Sequence, residues 1–179
     1  MLLGLTIWLS ACEEQEITNS PASEISQEPI SEINIDELQE QSTNRNASNT
    51  IDFTIGYNQQ VLLISRRGNI RESLLIGFTG IQDSRCPINA RCITPGAAEV
   101  ELSFTNVFDS NNLPMCIGAC NVLDRPVDNE AMQRPEDEIV FELANTNYAL
   151  VLKNVTPYLE AGVPTVTSEY RLVMQIKAL

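Results

Sequence analysis

AEVELSF, residues 98–104, puts Ala98, Val100, Leu102 and Phe104 on one side of an extended chain and Glu99, Glu101 and Ser103 on the other. A period of two is the mark of a strand with one buried face. Working outward, Ile51, Phe53 and Ile55 alternate with Asp52 and Thr54, and the pattern returns at Ile139, Phe141 and Leu143 and at Tyr170, Leu172, Met174 and Ile176. VLLIS (61–65) and SLLIGF (73–78) are short continuous apolar runs around Arg66-Arg67-Gly68-Asn69, which reads as a turn, and YALVLKNV (148–155) is a further strand. No stretch sustains the 3.6-residue stripe of a helix. Residues 51–179 therefore predict a single all-β domain, an antiparallel β-sandwich or partly open barrel of about seven strands. Residues 109–137 break the rhythm and read as a long irregular insertion, a place where binding often resides.

The front of the chain is different. MLLGLTIWLSAC carries an apolar run from Leu2 to Leu9 that ends in small residues and a cysteine, as the core and cleavage region of an export signal does. The run is too short to cross a bilayer, which takes about 20 apolar residues. Leu9-Ser10-Ala11-Cys12 resembles the lipobox of bacterial lipoproteins. That resemblance implies a signal segment at 1–11, lipid on the Cys12 sulfur, and attachment to a membrane of the cell envelope, with the outer membrane expected. No Lys or Arg precedes the apolar run, although export signals begin with positive charge, so the expectation is a start upstream or a trimmed chain. Two or three acyl chains hold firmly where one holds marginally, at about 0.8 kcal/mol per buried methylene.

Residues 12–50 read as an acidic tether. From residue 13 to 50 there are nine acids and one base, Arg45, with no aromatic residue, so this stretch carries −8 of the chain's −13 and leaves −5 for 51–179. Such a composition buries too little apolar surface to offset ordering entropy and predicts disorder, with a reach of about 35 Å. Ile30, Ile33 and Leu38 fit one amphipathic turn only poorly. Cys12-Glu13-Glu14-Gln15-Glu16 also resembles the acidic signal that directs some bacteroidete lipoproteins to the cell surface, though it reads first as solvated linker. The scarcity of Lys and Arg argues against nucleic acid as a partner.

Four further cysteines, Cys86, Cys92, Cys116 and Cys120, lie in the domain. In an oxidising compartment an even number of thiols reads first as disulfides. Three connectivities are open. The nearest-neighbour one, Cys86 with Cys92 and Cys116 with Cys120, is the expectation because each pair closes a short loop, removing on the order of 2 kcal/mol of unfolded-state entropy. The competing reading is metal, with four thiolates around zinc or Met115 and Cys116 on copper(I). Spacings of five and three residues fit zinc knuckles poorly, no C-x-x-C redox motif occurs, and the chain has no histidine. No metal and no cofactor are expected.

Asp83-Ser84-Arg85-Cys86-Pro87, then Cys92, Gly96 and Ala98, is similar to a motif of small bacterial lipoproteins and secreted proteins of uncharacterised function. The tail, Val155-Thr156-Pro157-Tyr158 followed by a strand from Tyr170, resembles that family's final hairpin. The sequence departs from it at Thr94, where the family shows tryptophan, and at Leu159, where it often shows proline. The resemblance implies a β-rich envelope domain with Cys86 paired to Cys92, and no activity.

Without histidine the Ser-His and Cys-His nucleophile arrangements and the two-histidine zinc proteases are excluded. Carboxylate-only hydrolysis survives, but no pair among the domain's acids stands out by spacing. Asp83, Ser84 and Arg85 invite a catalytic reading; a turn in which Asp83 or Ser84 bonds the backbone and Arg85 covers a strand end explains them better. Acids at Asp124, Asp128, Glu130, Glu136, Asp137 and Glu138 match no calcium loop. No catalytic residue is named. The leading expectation is a non-enzymatic module that binds an envelope protein, with Asp83, Ser84, Arg85, Thr94 and Met115 in its contact loops. The alternative is a protease-inhibitor-like protein presenting a disulfide-stiffened loop. The oligomeric state is left open.

Overall fold

A computed structural model describes residues 31–36, 38, 49–120 and 133–179. The signal segment, Cys12, most of the tether, and Asp124, Asp128 and Glu130 lie outside the described residues.

Two sheets face each other across an apolar core. The first has five strands in the order β1 (Ser31–Asn34), β3 (Gln60–Arg67), β4 (Ile70–Asp83), β5 (Ala97–Thr105), β6 (Ser110–Gly118). The second has four, in the order β2 (Thr50–Gly56), β9 (Arg171–Ala178), β8 (Thr146–Thr156), β7 (Asp137–Leu143). The architecture is the expected all-β sandwich, built from nine strands among the described residues. The alternating residues do what their period demands: Val100, Leu102 and Phe104 from β5 meet Leu172, Met174 and Ile176 from β9 in one buried cluster. Phe141 links the layers, packing edge-on to Phe104 and stacked on Tyr148.

Three features differ from the sequence reading. Part of the tether is folded: β1 pairs in parallel with β3, Ser31 opposite Val61 through Asn34 opposite Ile64, and Ile35 and Leu38 are fully buried. Asp36 then closes the far end of β3 by accepting from Arg66 N and Ser65 Oγ, each at 2.9 Å. The folded unit thus begins before residue 51. Second, residues 110–118 are not irregular: they form β6, in register with β5 from Thr105–Ser110 to Ala97–Gly118. Pro114, Asn111 and Asn112 are poor strand residues that an edge strand tolerates, since Pro114 has no N–H to offer on the open side. Third, β4 does not stop at Phe78 but runs on to Asp83 past a register shift between Phe78 and Gly80. That extension carries the motif at Asp83 to one end of the sandwich.

Candidate functional site

β4 ends at Asp83, and the chain then loops through Ser84, Arg85 and a clip closed by the Cys86–Cys92 disulfide before re-entering as β5 at Ala97. Across from it the β8–β9 connection, residues 157–170, comes off the other sheet at Thr156, with a cis peptide at Thr156–Pro157. Arg85 ties the two together. Its Nε and Nη2 donate to Asp83 Oδ1 (2.9 Å) and Oδ2 (2.6 Å), while Nη1 and Nη2 donate to Val155 O (2.7 Å) and Pro157 O (2.9 Å). The guanidinium also lies 5.2 Å from the centre of the Tyr158 ring. A fork of five donors suits this work, two facing a carboxylate and two reaching carbonyls of the second sheet.

Both carboxylate oxygens of Asp83 are occupied by hydrogen bonds within the protein. Besides Arg85 it accepts from Arg85 N (3.1 Å) and from the Tyr170 hydroxyl (3.2 Å), and its side chain is 2 % exposed. Burial raises the Tyr170 pKa above its usual value of 10; the Asp83 charge and hydrogen bond raise it further, and Arg85 offsets part of this. Ser84 Oγ exchanges bonds with Ala97 N and O, both at 3.1 Å. The Asp-Ser-Arg triplet is therefore a frame, as the turn reading anticipates.

The remaining ties are backbone and sulfur. Cys86 N donates to Pro95 O, Ile88 N to Leu159 O, and Ala161 N to Asn89 Oδ1. Gly96 (φ 69°) lets the return strand pass so close that a Cβ there would stand 1.9 Å from Ser84 O. Next to it, Cys116 and Cys120 are joined and both are buried, with Ala97 beside them. Asp137, itself buried, accepts from Cys116 N (2.9 Å) and pairs with Arg134 (2.7 Å). The two nearest-neighbour disulfides use all four sulfurs of the domain.

Met115 is the correction among the expected contact residues. It sits inside β6, fully buried in the core, because the β5 register opposes it to Val100 on the inner face. Thr94 is exposed on the clip's return limb, whereas Asp83 and Arg85 lie largely within the frame. What the clip end presents instead is apolar: Ile88, Ile93, Tyr158, Val163 and Val166 are all exposed. Periodicity cannot reveal such residues, since they lie between strands. The available signal was their company, with Ile93 set among Cys92, Thr94 and Pro95. At the opposite end a cleft of about 370 Å³ opens between the β5–β6 turn, the start of β4 and the β7–β8 turn, lined by Arg71, Ser73, Phe108 and Glu142 among others.

Comparison of the chain with family models, curated proteins and solved structures finds no match.

Proposed function

We propose that this chain is a lipid-anchored protein of the bacterial cell envelope, held to a membrane through Cys12, whose folded unit is a non-enzymatic module that docks another envelope protein through its clip end. One observation carries the reading. Five exposed apolar side chains, from Ile88 to Val166, come from two loops that are already immobilised by a disulfide, an arginine fork and cross-loop hydrogen bonds. Exposed apolar groups cost solubility unless something covers them, and groups held rigid lose little entropy when it does.

The test is a photo-reactive side chain placed in intact envelopes at Ile93 or, as control, at exposed Val140 on β7. The reading expects one discrete adduct from position 93, lost when Tyr158 is changed to Ala, and none from 140. It expects mature mass to begin at acylated Cys12. Equal labelling from both positions, or an unmodified Cys12, would sink it.

Ile93 favours one second reading. At 105 % relative exposure it projects fully into solvent, directly after Cys92 and two residues before Pro95. A protease inhibitor offers an enzyme such a projecting side chain on a stiff loop. Stoichiometric inhibition of a protease with an aliphatic-accepting pocket, abolished by Ile93→Asp, would select this alternative over the docking module.

A further inference from the structure

The opposite end of the sandwich carries a second, chemically different surface. The β5–β6 turn is closed on itself: Asn106 N donates to Asp109 O (2.9 Å), and Asn106 Oδ1 accepts from Phe108 N and Asp109 N, each at 2.8 Å. With its polar groups satisfied internally, the turn holds Val107 and Phe108 outward, 83 % and 96 % exposed. Turns are ordinarily filled by polar residues, so two adjacent apolar ones at a stiff tip need a reason. Ile70 and Leu179 are exposed at the same end, Leu179 N being bonded to Asn147 O beside the β7–β8 turn.

Beside the tip stands an unusual pair. Arg66 and Arg71 are direct partners in the β3–β4 register and both are exposed. Like charges directly opposite each other repel. Neither side chain makes an ion pair or hydrogen bond among the described residues, whereas the neighbouring Arg67 is bonded to Asn145 O and Thr146 Oγ1. The end also carries carboxylates, which keep their charge but are held by neutral amides and not by the Arg66 or Arg71 side chains: Asp36 accepts from Arg66 N, Glu72 from Ala144 N, and Asp109 from Ser110 N and Asn111 Nδ2. Glu142 lines the cleft across from Arg71.

We propose that this end seats on the surface of an anionic lipid bilayer, Val107 and Phe108 entering the headgroup region and Arg66 and Arg71 receiving phosphate. Two guanidiniums set side by side match a phosphate-bearing surface, which relieves their mutual repulsion. The apolar groups come from three separate segments spread around the end: the β3–β4 hairpin, the β5–β6 turn and the C-terminus. A planar interface accepts such scattered protrusions, while a protein pocket takes one. Seated in this way, the molecule turns its disulfide-clipped end away from the membrane. The inference is carried by residues distinct from those of the clip end and stands or falls separately.

The full chain contains one tryptophan, Trp8. In a Trp8→Phe background, Phe108→Trp puts a single indole at the tip and Ile93→Trp puts one at the clip end; both sites are exposed, so folding is not at stake. Vesicles of phosphatidylethanolamine and phosphatidylglycerol, with and without brominated acyl chains, are the probe. The apolar 2–9 segment is common to every variant, so depth of the indole tells which end is seated, and partitioning is read only as the ratio between variants that share that segment. The expected result is a blue shift and bromolipid quenching at position 108 and neither at position 93. Arg66→Gln with Arg71→Gln should lower partitioning onto these vesicles about thirtyfold, and hardly change it on phosphatidylcholine. An indole at 108 that stays water-exposed on every vesicle overturns the inference and leaves the tip to a protein partner. Equal quenching at 108 and 93, or loss of partitioning of the same size on neutral vesicles, overturns it as well.

Discussion

Arg85→Met tests the frame that holds the clip end, because it keeps most of the stem and deletes the fork. Asp83, 2 % exposed at its side chain, would retain only the Tyr170 hydroxyl and a backbone N–H, while Val155 O and Pro157 O would each lose a charged donor. Removing one partner of a buried ion pair costs about 3–5 kcal/mol. Arg85 is 12 % exposed, so some water reaches the vacated carbonyls and the lower end applies, about 3 kcal/mol. For a domain of this size that corresponds to a fall in Tm of about 10–15 °C. The double variant Asp83→Asn with Arg85→Met leaves no buried charge and should recover about half of the loss. Urea unfolding followed by far-ultraviolet circular dichroism, under oxidising conditions, measures both. If Arg85→Met lies within about 1 kcal/mol of the parent, the fork is a surface pair with no structural role. If the double variant is no better than the single one, the cost lies in packing and not in the stranded carboxylate.

Tyr170 gives a pH dependence of known sign. Its folded pKa is raised above 10, mainly by burial and then by Asp83, so folding favours the protonated phenol. Its contribution is intact below pH 10 and is lost as pH rises through the folded value; Tyr170→Phe should flatten that alkaline limb, and an ultraviolet titration of the phenol should show its late ionisation. Gly96→Ala meets both a φ of 69° and Ser84 O, and should cost about 3 kcal/mol, whereas Gly68→Ala, at φ 60° with open space around it, should cost about 1 kcal/mol; equal losses would mean that the close approach at Gly96 relaxes freely. Timed reduction and alkylation with mass spectrometry should open Cys86–Cys92 first, since Cys92 is exposed while Cys116 and Cys120 are buried, and simultaneous opening would contradict that order. The unreduced folded protein should offer no alkylatable thiol from these four.

The strands that were legible are those whose burial writes a pattern into the chain. β2, β5, β7 and β9 alternate because one face meets the core, whereas β3 and β8 are apolar runs because consecutive residues, and so both faces, are buried there, Leu63 to Ser65 and Tyr148 to Leu152. β1 and β6 were not legible, for opposite reasons. Four residues in an acidic stretch give β1 no periodic signal of its own; its pairing with β3 and the burial of Ile35 and Leu38 exist only once the sheet is assembled. β6 carries Asn, Pro and Gly, which read as loop, and only its place at a sheet edge makes them acceptable. The error at Met115 follows from the same cause. The Asp-Ser-Arg turn was legible as local structure, but Val155, Pro157 and Tyr170, its partners across the sandwich, are 70 to 87 residues away.

The two ends of the sandwich are held by different means, and the difference bears on their roles. Around Phe108 the connections are tight turns, a pair of residues between β3 and β4 and the self-bonded Asn106–Asp109 turn between β5 and β6. Such turns need no further support. At the clip end the connections are long, and their apolar residues face outward, so burial cannot hold them. Two disulfides, the Arg85 fork and the Arg134–Asp137 pair stand there in place of a core. Long loops left to themselves would fluctuate and fold their apolar groups back onto the protein. Stiffening them so that Ile88, Ile93 and Tyr158 stay outward is useful only if those groups meet something else. On the proposed docking role, cutting the Arg85 tie should therefore weaken docking even in the double variant with Asp83→Asn, which regains about half of the lost stability and is folded at the assay temperature, and undiminished docking in that variant would separate the frame from the function.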